Sequence, residues 1–330
     1  MSRKEREHIS RDVLASVPKL IEKIKMETRK AIVGQTEIID SVLIAVLCNG
    51  HILIEGVPGI AKTLIVKTIA AITGCDTKRV QFTIDLLPSD IVGINSFNPD
   101  TKEFTFKKGP VFTNFLIADE INRSPPKTQS ALLQAMQENE ISSGNKIYPI
   151  DPPFFVMATQ NPIEQSGVYN LPEAEIDRFI FKINMTYPKI DEELSILDIN
   201  MSFNMFEELG LKKVTSKNEI LKLQKIVKKV YSSEEIKKYI VKIIELTRDS
   251  NKEYSRYISL GSSPRASIAL HLASKAKALM KGRSYVLPDD VRSVAKLVLR
   301  HRIILNYRAE SEGITSDKII DEILNQLSPA

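Results

Sequence analysis

The apolar run Ile52-Leu53-Ile54 leads directly into Gly56-Val57-Pro58-Gly59-Ile60-Ala61-Lys62-Thr63, and an apolar-periodic stretch with Leu64, Ile65, Ile69 and Ala70 follows at once. Strand, glycine-bearing loop and helix in immediate succession leave few folds open, because this is the context a phosphate-binding loop requires. The backbone N–H groups of such a loop, with the positive end of the following helix, form a cradle for phosphate oxygens. Lys62 is placed to reach β- and γ-phosphates, and the Thr63 hydroxyl to ligate Mg²⁺. Ala61 stands where such loops usually carry a glycine before the lysine, which a negative φ tolerates. Alone, the same residues also read as a turn with a solvated lysine, so the rest of the chain has to decide.

Composition narrows the class. With 43% hydrophobic and 26% charged residues in 330, the chain can bury the core of one large or two ordinary domains. No apolar run approaches the roughly 18 residues of a membrane span, and the charged start Arg3-Lys4-Glu5-Arg6-Glu7 is unlike a secretory signal. Cys48 and Cys75 sit singly in apolar contexts and read as reduced, buried thiols, pointing to the cytoplasm. The four histidines are scattered and form no metal-ligand spacing. A net charge of +5 permits an anionic partner without demanding one.

In chain order, 9–32 reads as an amphipathic helix that Pro18 should break in two, and 36–48 as a second helix. After the loop and its helix, a strand is expected at Val80–Thr83. Residues 85–114 then interrupt the α/β rhythm with a short turn-like piece and a hairpin, Asn95–Asn98 and Glu103–Phe106, turning at Pro99-Asp100. Its lysines, Lys102, Lys107 and Lys108, read as a solvated edge or, more sharply, as a polymer-gripping loop. Buried parallel strands are expected at Phe115–Ala118 and Phe154–Ala158, a helix at 125–139, a second hairpin around Ser143-Gly144-Asn145, and a last strand at Phe179–Ile183. Beyond Pro188 the strands stop. Helical periodicity fills 191–209, 216–230, 233–250, 264–282, 288–305 and 315–327, with Pro264 and Pro288 at helix starts. The fold class is therefore α/β with a helical second part, divided into 1–188 and 189–330.

Two strand ends carry chemistry. Asp119-Glu120 closes an apolar strand one α/β repeat after the loop, so Asp119 is placed to hold a phosphate-bridging Mg²⁺ and Glu120 to accept a proton from an attacking water. Asn161 closes another strand, where its amide can orient the same water by donating and accepting at once. Arg178, beside Glu173, Glu175 and Asp177, reads as an internal salt bridge or as a guanidinium directed at a neighbouring subunit's γ-phosphate. Arg265 puts basic charge at a helix N-terminus against the dipole, which suits either an anionic ligand or a surface carboxylate.

Taken together these segments resemble the MoxR-type AAA+ ATPases of the helix-2-insert clade, related to magnesium chelatase AAA+ subunits. The stretches that carry the resemblance are Ile32–Gln35, Gly56–Thr63 with its alanine before lysine, Asp85–Asp90, Asp119–Arg123, Pro125–Gln129, Ala158–Pro162, Leu171–Phe179 and Ser263–Ala266. The resemblance spans about residues 31–300. It implies a P-loop core with a five-stranded parallel sheet between helices, an all-helical lid, a β-hairpin insert near 94–108 and a ring, commonly a hexamer. It implies ATP and Mg²⁺ as cofactors. Lys62 and Thr63 would be Walker A residues, Asp119 and Glu120 Walker B, Asn161 sensor 1, Arg178 the arginine finger and Arg265 sensor 2. Val33 and Gly34 would line the adenine, and Gly56 to Leu64 would wrap the phosphates. Partners would be protein substrates, often with von Willebrand factor A domains. The alternative function, a nucleic-acid-translocating ATPase, is disfavoured by weak basic charge and the lack of a separate DNA-binding module.

Overall fold

The computed structural model describes residues 9–57, 59, 62–99, 102–144, 146–162, 168–199 and 210–327. Pro58, Ile60 and Ala61 of the loop, Asp100 and Asn145 of the two hairpin turns, and 200–209 of the expected helix lie outside the described residues. In chain order come α1 (Arg11–Thr28), α2 (Thr36–Leu47), β1 (Ile52–Gly56), α3 (Lys62–Thr73), β2 (Thr77–Gln81), α4 (Pro88–Val92), β3 (Gly93–Asn98), β4 (Glu103–Lys108), β5 (Phe115–Asp119) and α5 (Pro126–Glu138). They are followed by β6 (Glu140–Ser143), β7 (Lys146–Pro149), β8 (Phe155–Gln160), α6 (Glu173–Ile176), β9 (Phe181–Met185) and α7 (Ile190–Ile199). Then come α8 (Lys217–Lys229), α9 (Glu234–Leu246), β10 (Ile258–Leu260), α10 (Pro264–Met280), α11 (Pro288–Leu299), β11 (Ile304–Leu305), α12 (Tyr307–Ser311) and α13 (Ser316–Gln326).

Five parallel strands form the sheet in the order β2-β5-β8-β1-β9. Its inner strands read as unbroken apolar runs because both faces are covered. Phe115, Ile117, Phe155 and Met157 point toward α1–α3 and the helical part, whereas Leu116, Ala118, Val156 and Ala158 point toward α5 through Leu132, Leu133 and Met136. The first of these clusters continues without interruption into Leu223, Val227, Ile240, Ile243 and Leu270 of the later helices. Among the described residues no helix is long and apolar enough to cross a membrane.

β3–β4 and β6–β7 are separate antiparallel hairpins outside the sheet, the first as the broken rhythm of 85–114 suggested and the second where a hairpin was expected around Ser143-Gly144-Asn145. They touch each other: Asn95 Nδ2 donates to Ser143 Oγ at 3.1 Å, and Phe106 stacks on Tyr148 with centroids 4.1 Å apart. Phe97 and Phe104 pair across β3–β4 and stay exposed.

Several expectations are corrected. Pro18 does not split the first helix; α1 runs through it. Proline removes one donor only, and the Leu14 carbonyl that loses it faces Gly282, whose φ is +74° and where a Cβ would come within 3.0 Å of that oxygen. β2 begins three residues earlier than expected because it is an edge strand, where the polar Thr77-Lys78-Arg79 can face solvent. The segment before the insert is a five-residue helix, α4, rather than a turn. Strands do not stop at Pro188: β10 and β11 pair antiparallel, each too short to show a period of two. The helix expected over 288–305 ends at Leu299, where the Arg302 side chain donates to the freed Val298 carbonyl at 2.5 Å.

His51, just before β1, ties three segments together. Its Nδ1 accepts from the Val156 N–H at 3.0 Å and its Nε2 lies 3.0 Å from the Met136 carbonyl. Burial pushes its pKa down to about 4, against a small opposing effect of the Met136 bond. The unfolded chain, with an ordinary imidazole, takes up the proton first, so this stability is complete above about pH 6.5 and lost as pH falls toward 4. The expected loss over that window is about 3 kcal/mol. Urea unfolding followed by circular dichroism should show it, with a flatter pH slope in His51→Gln; equal slopes would contradict the assignment.

Candidate active site

Parallel strands deliver their C-terminal ends to one edge, and in this order β5, β8 and β1 deliver them side by side. Gly56 ends β1 and Lys62 opens α3, so the loop spans the gap between strand end and helix N-terminus. Gly59 has φ +86°, yet a Cβ there would meet nothing within 4 Å, so backbone conformation and not space calls for glycine. Lys62 Nζ folds back to the Gly56 carbonyl at 2.6 Å. Burial lowers its pKa, with Asp119 and Glu120 pulling the other way. Both carboxylates therefore lie near this ammonium. Val57 and Leu64 are half-buried against the core.

Asp119, at the end of β5, is nearly buried and heavily engaged. Thr63 Oγ1 lies 3.3 Å from its Oδ2, Thr159 Oγ1 donates to its Oδ1 at 3.2 Å, and Arg79 Nε pairs with Oδ2 at 2.6 Å. Glu120 takes the left-handed conformation (φ 56°), which turns it out of the strand direction. Gln81 Nε2 donates to its Oε2 at 2.7 Å and Arg123 Nε sits 3.1 Å from the same atom. The Thr159 hydroxyl also accepts from the Glu120 N–H at 2.9 Å and so couples the two acids through one side chain. Asn161, one residue past β8, is buried at this edge. Arg79, Gln81 and Thr159 were not anticipated from sequence. Their signal is register: Gln81 pairs with Asp119 across β2–β5, and Thr159 is the β8 residue opposite Ile54.

Val33 and Gly34 lie in the turn between α1 and α2. Gly34 has φ +63°, and a Cβ would come within 2.1 Å of the Glu192 carboxylate, which reaches over from α7. α7 follows β9, whose end is level with Gly56, so this turn lies on the loop's side of the sheet. Gln35 Oε1 is buried there without a hydrogen-bond partner among the described residues.

Arg178 and Arg265 are elsewhere. They line a cavity of about 390 Å³ with His51, Met136, Ile268 and Leu272, at the N-terminal end of β1. Five strand residues, about 16 Å, separate that end from the loop, so neither arginine meets Lys62 of its own chain. Asp177 holds the cavity wall: Arg302 Nε reaches its Oδ1 at 2.6 Å, Ser263 Oγ donates to Oδ2 at 3.0 Å, and Arg265 lies 3.6 Å away. Arg265 thus sits beside a carboxylate, a mostly buried one rather than a surface one. Among the described residues Arg178 forms no ion pair of the kind its acidic neighbours suggested. Among the described residues its Nε is buried with no hydrogen-bond partner.

The family models agree with this layout. Residues 51–181 match the ATPase family associated with various cellular activities (AAA), and residues 252–323 match the AAA lid domain. The Mycobacterium tuberculosis protein Chaperone MoxR1 is 41% identical over 96% of this chain and 84% of its own length. The uncharacterised Bacillus subtilis protein YeaC is 44% identical over 93% of each. A crystal structure of an ATPase candidate from Cytophaga hutchinsonii superposes with a TM-score of 0.89 at 45% identity, covering 97% of both chains. With the sheet order, the paired strand ends and these relatives in agreement, the chain belongs to the MoxR family of AAA+ ATPases.

Proposed function

We propose that this chain hydrolyses ATP with Mg²⁺ and works as a ring, probing and remodelling partner proteins as a chaperone. The observation that carries the reading is the 3.3 Å approach of Thr63 Oγ1 to Asp119 Oδ2 beside Lys62, with Glu120 and Asn161 at neighbouring strand ends. A hydroxyl and a carboxylate this close suit a hard cation that keeps most of its coordination for phosphate and water. Thr63 and Asp119 would hold Mg²⁺ there, and the ion would supply positive charge to offset that of the phosphates. Lys62 leaves the Gly56 carbonyl for the phosphates, Asn161 orients the attacking water, and Glu120 accepts its proton. Gln81 and Arg123 fix the direction of the Glu120 carboxylate. The orphan acceptor Gln35 Oε1, next to Gly34, suits the exocyclic amine of adenine.

Arg178 and Arg265 sit at the opposite sheet end, which favours action on a neighbouring copy's γ-phosphate over action on their own. The chain divides on this reading into a core, 1–188, and a lid, 189–330, and loss of the γ-phosphate frees the lid of one copy from the core of the next. Both cysteines are buried free thiols, in keeping with a reducing cytoplasm. A von Willebrand factor A-domain protein is the partner class the family suggests.

Lys62→Ala tests the nucleotide reading. ATP affinity, measured by calorimetry with Mg²⁺, should fall at least tenfold and phosphate release should vanish. Unchanged affinity would remove the loop from the site. The chaperone reading rests on partner capture: a tagged chain loaded with ATP should retain proteins that ADP releases, and identical capture in both states would overturn it.

A further inference from the structure

Positive charge in this protein is concentrated in one stretch. Residues 212–242 hold ten lysines, no arginine and three glutamates, a net of +7 in a chain whose total is +5, so the remaining residues sum to −2. Neither the nucleotide site nor the Arg178 cavity uses these lysines.

Eight of them lie on α8 and α9, and both helices pack against α10. Lys275 Nζ donates to the Lys228 carbonyl at 3.1 Å, and His271 Nε2 shares a 2.9 Å hydrogen bond with Ser232 Oγ. Lys237 lies close enough to both to matter electrostatically: burial and Lys237 push the Lys275 pKa down, and burial followed by Lys275 and Lys237 does the same to His271. Some lysines of the stretch sit in ion pairs, among them Lys217 with Asp76, Lys237 with Glu234 and Lys242 with Glu245. Lys222, Lys225, Lys228 and Lys238 are exposed and have no carboxylate within ion-pair distance among the described residues. A half-buried ammonium held by one carbonyl, with unpaired cations around it, is a surface short of negative charge. Exposed apolar groups lie among the lysines: Tyr231, Val241 and Tyr285 are each about half exposed, and the Tyr231 N–H joins the Ser284 carbonyl at 2.8 Å.

From this we infer that the α8–α9 face of the lid is a docking surface for an acidic, partly apolar segment of a partner protein. Nucleic acid would also answer the charge, but bidentate base readout leans on arginine forks, and this stretch has none. Lysine point charges alternating with half-exposed tyrosine and valine match glutamates or aspartates spaced by leucine or aromatic residues. The placement also gives the contact a route to the nucleotide. α8 packs on α2, where Gln224 Nε2 donates to the Val46 carbonyl at 2.7 Å, and on α10, whose first turn holds Arg265. The inference does not depend on ATP hydrolysis.

The test uses the full, nucleotide-free protein and fluorescence anisotropy with two labelled probes, a repeating Glu-Glu-Leu peptide and a single-stranded DNA of the same net charge. The peptide should bind, more weakly as salt rises, and more tightly than the DNA. The triple variant Lys225→Glu, Lys228→Glu, Lys238→Glu should bind it about thirtyfold more weakly, since each reversal turns one exposed attraction into a repulsion. Its ATP turnover and melting temperature should match the wild type, because all three side chains project into solvent. Failure of the peptide to bind, equal binding by the variant, or tighter binding of the DNA would each overturn the inference.

Discussion

Glu120→Gln will bind Mg²⁺-ATP as the wild type does and turn it over on the order of 10²–10⁴ times more slowly, the usual contribution of a positioned general base. The amide keeps the shape of the side chain and can still meet Gln81 and Arg123, which hold Oε2 at 2.7 and 3.1 Å. It cannot take a proton from water. Phosphate-release kinetics alongside nucleotide affinity separate the two effects: lost turnover with retained binding is the expected pair. Near-normal turnover would remove Glu120 from the role. Arg79 gives a useful contrast. It pairs with Asp119 at 2.6 Å without being needed to accept a proton, so its loss should alter metal affinity more than the limiting rate.

Arg178→Ala should be the more damaging change, on the order of 10³–10⁵ in turnover, the range seen where an arginine meets a γ-phosphate in the transition state. ATP binding should survive, because Arg178 lies at the far end of the sheet from Lys62. Stability should survive as well. The buried Nε has no protein partner among the described residues, so truncation strands no charge. The neighbouring Asp177 behaves oppositely. Removing it would leave the buried Arg302 guanidinium without its carboxylate, a change worth about 3–5 kcal/mol of stability. Thermal unfolding of the two variants distinguishes an arginine kept for another subunit from a carboxylate kept for the fold.

What the sequence disclosed and what it hid follow from the range of each interaction. The loop, the Asp119-Glu120 strand and the Asn161 strand were legible because each is a short apolar run with its chemistry at the very end, and parallel topology sends all such ends to one edge. The hairpins were legible because their alternation breaks an otherwise continuous α/β rhythm. Arg79, Gln81 and Thr159 were not, since their meaning lies in strand register and β2 itself was expected three residues late. The Leu14 carbonyl that Pro18 leaves free packs beside Gly282, more than 250 positions away. The basic stretch was visible residue by residue, but the modest total charge concealed it, and only the packing of α8, α9 and α10 brings Lys228, Lys237 and Lys275 near one another.

In the proposed ring, each site is completed by two copies of the chain, and mixing two dead variants tests that most directly. Lys62→Ala lacks the phosphate lysine but keeps Arg178; Arg178→Ala lacks the arginine but keeps an intact loop. Each alone should release no phosphate above background. Co-assembled, they create interfaces in which an intact loop faces an intact Arg178, and ATP turnover should return to a readily measured fraction of the wild-type rate. A mixture that co-assembles yet stays as inactive as its components would contradict a shared site.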